Sequence, residues 1–206
     1  MRIPAPGIHL FHMTELHARR LPHLQAIGRP IFITWRLYGS LPANRTFPQA
    51  TRAGRAFLAM NRLLANANVG PTYLRTPEIA AMVVASIRYR HLIDYDLHHF
   101  VVMPNHVHIL VTPIEPVPKF MHSLKRFTAR EANRSLGTTG RPFWQDESYD
   151  RLVRNDLEFG RIANYIERNP VDACLVTEPA HFPWSSALPG TDGPPNRPQD
   201  SYLPHA

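Results

Sequence analysis

Two strand-like runs stand back to back in YDLHHFVVMPNHVHILVTPI, split by Met103-Pro104-Asn105. Proline has no amide to give a sheet ladder, so the break falls between strands, and the pattern predicts a hairpin over Tyr95–Thr112. Around it, strand-like and helix-like segments alternate. PIFITWRLYGSLP (Pro30–Pro42) is β-branched and aromatic and ends in turn residues. Residues 43–75 hold a helical stretch, GRAFLAMNRLLANANVG. Thr76-Pro77-Glu78 then supplies an N-cap, a first-position proline and an acid in the first turn of a helix expected to reach about Leu92. VPKFMHSLKRFTAREANRSL forms the next helix, closed by Gly137 and Gly140. The extended piece PFWQDESYDRLVR follows, then a helix starting near Asn155-Asp156 and ending at Asn169-Pro170.

The order β, α, β, β, α, β, α implies a ferredoxin-like or RRM-like α+β fold. Its antiparallel sheet has helices on one face, and one helix is added at the C-terminal end. The expected organisation is a lead-in over 1–28, one domain over 29–186, and a flexible tail over 187–206 rich in Pro, Gly, Ser and Asp. No run of about 18 apolar residues is present, and the N-terminus lacks the apolar segment of a signal peptide, so a cytoplasmic protein without membrane contact is expected. One cysteine, Cys174, excludes an intramolecular disulfide framework and a Cys-rich zinc site. The 206 residues carry 23 Lys and Arg against 16 Asp and Glu, a charge of +7 that attracts polyanions.

His106-Val107-His108 places two imidazoles on one face of a strand, with Val107 and Ile109 turned to the core. Such a pair either ligates one divalent metal or sits on the sheet without a ligand. Tyr165 and Asn169 are four apart and share a helix face, either as nucleophile and additional metal ligand or as a packing tyrosine before a helix stop. On the helix from Pro118 to Leu136, Phe120, Leu124 and Phe127 follow one side, while His122, Arg126, Arg130 and Arg134 line another, with Lys119 and Lys125 adding charge. That basic face suits phosphate contacts, or is simply solvated. Phe143, Trp144, Tyr149 and Trp184 have the chemistry to stack on bases but are more often core aromatics. Trp35-Arg36 reaches the ligand face only in one strand phase. His98 and His99, as adjacent strand residues, are expected to face opposite ways.

Together the ordered motifs ITWRLYGSLP, PNHVHILVTP, KRFTARE, FWQDESYDR, YIERNPV and FPWSS resemble the single-tyrosine HUH transposases of small insertion sequences, and among them the REP-associated tyrosine transposases. That resemblance implies His106 and His108 as the metal-binding pair, Tyr165 as the catalytic tyrosine and Asn169 as the polar residue completing the site. It implies Mg²⁺ or Mn²⁺ as cofactor, and a single-stranded DNA hairpin or palindromic repeat as partner of a monomer or homodimer. Cleavage would pass through a 5′-phosphotyrosine intermediate. No acidic residue lies between Val101 and Thr112, so further protein ligands from the hairpin are not expected. The competing readings are a hairpin-binding regulator without catalysis, a metal-dependent hydrolase, and an RNA-binding RRM. The last needs an aromatic base-stacking pattern that HVHILV lacks.

Overall fold

The computed structural model describes residues 27–41 and 70–189. The lead-in up to Ala26, residues 42–69 with most of the expected helical stretch, and the tail beyond Pro189 lie outside the described residues. The elements are β1 (Ile31–Arg36), α1 (Pro77–Tyr89), β2 (Tyr95–Val102), β3 (His106–Pro113), α2 (Val117–Ser135), β4 (Tyr149–Leu152) and α3 (Asp156–Asp172). The sheet runs β2-β3-β1-β4 with every neighbouring pair antiparallel, the ferredoxin-like order.

Apolar residues alternate on β1 and β3 and divide the core in two. Ile31, Ile33 and Trp35 of β1, with Val107, Ile109 and Val111 of β3, meet Ile79, Val83 and Ile87 of α1 and Phe120 and Leu124 of α2. Phe32, Val101 and Leu110 point the other way and meet Ala163 and Ile166 of α3. The sheet is therefore buried on both faces, which is why HVHILV reads as a nearly unbroken apolar run. The face opposite α1 and α2 is partly roofed by α3.

α3 is fixed at both ends. Asn155 Oδ1 accepts the Glu158 amide at 2.9 Å, a side-chain N-cap. The Glu158 carboxylate accepts from the Arg154 amide at 3.0 Å and from the Arg154 and Arg151 guanidinium groups. Hydrogen bonds from Arg154 hold this carboxyl down to about 2. At the other end, Asp172 rather than Asn169-Pro170 closes the helix, with Pro170 inside the last turn. The stop is made further on: Cys174 takes φ 55°, its amide bonds Val171 O, and Leu175 N bonds Pro170 O. This pair of bonds around a left-handed residue is a Schellman closure.

Other boundaries also differ from expectation. The first helix stops at Tyr89 rather than Leu92, and of PFWQDESYDRLVR only Tyr149–Leu152 is strand. Trp184 to Ser186 belong to the domain, inside its expected end at 186. Val102 N donates to Trp184 O at 2.8 Å and Ser186 N to Phe100 O at 3.0 Å, so this segment covers the free edge of β2. Among the described residues, no helix is long and apolar enough to cross a membrane.

Candidate metal and tyrosine site

The β1–β3 register sets Thr34 opposite His108 and Arg36 opposite His106. Antiparallel partners share a face, so Phe32, Thr34 and Arg36 stand on the side of the two imidazoles, under α3. The histidine rings lie 4.6 Å apart, centre to centre, and both residues are fully buried. Burial pushes His106 down to about 3. It also pushes His108 well below the ordinary histidine range, with His106 adding to the effect. Both rings are therefore neutral at physiological pH, the state in which an imidazole ligates a metal.

Each Nδ1 is engaged. Asn105 Oδ1 lies 2.6 Å from His106 Nδ1, and Thr34 Oγ1 lies 2.7 Å from His108 Nδ1. An amide oxygen only accepts, so His106 carries its proton on Nδ1 and a lone pair on Nε2. That Nε2 is buried and has no hydrogen-bond partner. An orphaned buried acceptor costs about 1–3 kcal/mol, a burden that a bound cation would remove.

α3 brings the phenol. Tyr165 Oη lies 3.5 Å from His108 Nε2, and it also hydrogen-bonds the Asn169 side chain one turn on. Its ring meets Phe32 edge-on at 6.2 Å and His108 at 5.5 Å, while Phe32 stacks on His108 at 5.5 Å. Burial raises the phenol's pKa well above 10, opposed by the Asn169 hydrogen bond and reinforced by Asp172. Asn169 is buried. The four expected site residues thus converge, although they come from β3 and α3. Two neutral imidazoles can ligate a divalent cation, with the Asn169 amide linked to them through Tyr165; Mg²⁺ or Mn²⁺ would take its other positions from water or phosphate oxygens. Among the described residues, no group of three His, Cys, Asp or Glu is placed to hold a metal, so a third carboxylate or histidine ligand is not part of the set.

α2 does not join this site. It packs on the opposite face of the sheet, through Phe120, Met121 and Leu124. Lys125 turns inward, its ammonium donating to Gln145 O at 2.7 Å and Asp146 O at 2.8 Å, and burial lowers it to about 8. Lys119 pairs with Glu115, and both Arg130 and Arg134 pair with Glu131. His122 and Arg126 are exposed. Among the aromatic candidates, Phe143 and Trp144 are core residues, with Trp144 Nε1 donating to Thr128 Oγ1 at 2.9 Å. Trp184 is partly buried against both cores, and Tyr149 is half-buried opposite Thr34.

His98 and His99 depart from strict alternation. A bulge between Leu97 and His99 sets one extra residue into β2, and both rings lie against Phe159 of α3, at 5.2 and 6.1 Å. His99 Nδ1 pairs with Glu167 Oε1 at 2.9 Å, clamping β2 to α3. Arg168 is exposed, 3.9 Å from Asp172. Sequence reasoning assigned no role to Thr34 or Asn105; the only signal was their placement in the strand opposite the histidines and just before them.

Residues 83–169 match the family model of IS200-like transposases, a stretch that contains both histidines, Tyr165 and Asn169. Among curated proteins, none matches the chain. Among solved structures, the chain is similar to a REP-associated tyrosine transposase bound to a REP hairpin, with a TM-score of 0.51 and 17% identity over 91% of this chain and 96% of that one. At that identity the likeness speaks for the fold. The resemblance seen in the motifs is met twice over: residues 83–169 are similar to the IS200-like transposases, and the chain folds like a tyrosine transposase.

Proposed function

We propose that this protein cuts and rejoins single-stranded DNA at hairpin or palindromic repeat elements in the cytoplasm, using Tyr165 as nucleophile. The reading is carried by the approach of Tyr165 Oη to His108 Nε2, 3.5 Å, on a face where a second buried imidazole has an unused lone pair. The hairpin held by the fold-related transposase supports the substrate class.

His106, His108 and Asn169 would hold a Mg²⁺ or Mn²⁺ ion, which would supply Lewis acidity toward the scissile phosphate. Tyr165 Oη attacks phosphorus in line with the 3′-oxygen. The new bond is P–Oη, the broken one P–O3′; the phenolic proton passes to water, and the departing 3′-oxygen takes one up as a hydroxyl. The product is a 5′-phosphotyrosine link that conserves the phosphodiester, so an incoming 3′-hydroxyl reverses the step without ATP. Burial disfavours the phenolate, a penalty that a cation held beside the histidines would offset. Asn169 holds the phenol by its hydrogen bond, and Phe32 holds the rings of both Tyr165 and His108. The exposed basic edge of α2 (His122, Arg126, Arg130 and Arg134, flanked by Lys119) is a second proposed contact, suited to the phosphates of a hairpin stem from the far side of the sheet.

The test is incubation with a labelled single-stranded hairpin oligonucleotide and Mn²⁺. A band that survives denaturation and is absent for Tyr165→Phe supports strand cleavage through the tyrosine. A reversible shift without a covalent band identifies a hairpin-binding regulator instead.

A further inference from the structure

Arg36 ends β1 directly opposite His106. Strand alternation separates it from Trp35, which is buried with the α1–α2 core, and puts it with Phe32 and Thr34 on the histidine face. Its guanidinium is partly buried, yet among the described residues no carboxylate comes within ion-pairing distance; its side-chain hydrogen bond is to Ser40 Oγ at 3.3 Å. Burial lowers its pKa, with the charge of Glu147 opposing.

Several other arginines of the domain are compensated by carboxylates, and partly buried Arg88 lies over the Phe100 ring, 5.3 Å from its centre. Arg90 pairs with Asp94, Arg130 and Arg134 with Glu131, and Arg151 and Arg154 with Glu158. Arg151 is the informative contrast: β4 sets it opposite Phe32, on the same face as Arg36, but its charge is spent on Glu158. Partial burial of a cation without a counter-ion is unfavourable unless an anion arrives. A planar guanidinium meets a phosphate through two parallel hydrogen bonds. Along this face Tyr165 lies over His108, and the side-by-side pair of His106 and Arg36 stands one step further toward the end of the sheet.

We propose that Arg36 is a DNA-phosphate site, which holds the phosphate flanking the scissile one on the His106 side and so fixes the path of the single strand across the histidine pair. This rests on the strand-cleavage reading above for its substrate. Arg36 positions the strand and takes no part in the bond exchange.

Binding can be read without cleavage. In the Tyr165→Phe protein, affinity for a single-stranded oligonucleotide is measured across a salt series, alone and with Arg36→Met, which keeps the apolar stem, or Arg36→Lys. The slope of log K against log salt should become shallower by about 0.7 in Arg36→Met, the loss of one single-strand phosphate contact, and be regained in Arg36→Lys. A neutral methylphosphonate at the flanking position should weaken binding to the Arg36 protein several-fold and leave Arg36→Met indifferent. An unchanged salt slope in folded Arg36→Met, or equal sensitivity of both proteins to the methylphosphonate, overturns the assignment. An adduct at Tyr165 together with an unchanged slope removes Arg36 alone; a changed slope without any adduct removes the cleavage reading and leaves Arg36 as a phosphate site.

Discussion

Asn105 Oδ1 accepts a hydrogen bond from His106 Nδ1 at 2.6 Å, and so decides which nitrogen of the buried ring is left with a lone pair. The residue precedes the histidine directly, in the connection between β2 and β3, and is itself buried. Thr34 Oγ1 engages Nδ1 of His108 from the neighbouring strand, where a hydroxyl can donate or accept, so it orients the ring without fixing the tautomer. A partner like Asn105 orients a ligand and sets its tautomer.

Asn105→Ala should therefore lower Mn²⁺ affinity about 10- to 100-fold, the usual effect of removing such a partner. Calorimetric titration of the protein with Mn²⁺ reads this directly. Unaltered affinity would show that Asn105 does not govern the ring.

The histidine pair also predicts an acid sensitivity. The folded-state pKa of His106 lies near 3 and that of His108 well below 6.5, so the unfolded chain binds protons that the folded chain refuses. Stability is intact above about pH 6.5 and should decline as pH falls toward 3, by up to about 1.4 kcal/mol per pH unit for each group. Half-buried His98, lowered by burial, adds to the same trend. Urea unfolding at pH 7.5, 6.0 and 5.0 checks this before the carboxylates titrate. His106→Gln should flatten the decline, and an equal slope in that variant would contradict the assignment.

Tyr165 is only as well placed as α3. Removing the N-cap with Asn155→Ala should cost about 1 kcal/mol in denaturant unfolding. It should also reduce covalent-complex formation while leaving Mn²⁺ affinity within a factor of a few, since the imidazoles belong to β3. Loss of Mn²⁺ binding in a folded Asn155→Ala protein would show that the two halves of the site are not separable in this way.

Local chemistry made much of this legible beforehand. The break at Pro104, the alternation through His106 and His108 and the four-residue spacing of Tyr165 and Asn169 are short-range patterns, and each survives in the structure. Position relative to the sheet was not legible in the same way. The arginines of α2 are periodic on their helix, but only the long-range packing of Phe120 and Leu124 shows that they stand behind the sheet. Lys125 reads as a surface charge until its contacts with the carbonyls of Gln145 and Asp146 are seen. The bulge at His98 depends on pairing with Val111 and Leu110, and the covering of β2 by Trp184 to Ser186 on backbone bonds across more than 80 residues of sequence. Pro170 misled for another reason: a proline near a helix end need not be the stop when a left-handed residue four positions later makes one.

The most direct measurement is mass spectrometry of the protein after incubation with a hairpin oligonucleotide and Mn²⁺. The account predicts a mass gain equal to the DNA fragment downstream of the cut, mapped to the peptide containing Tyr165, with the released fragment ending in a 3′-hydroxyl. No covalent species, or an adduct on another residue such as Tyr149, would contradict it.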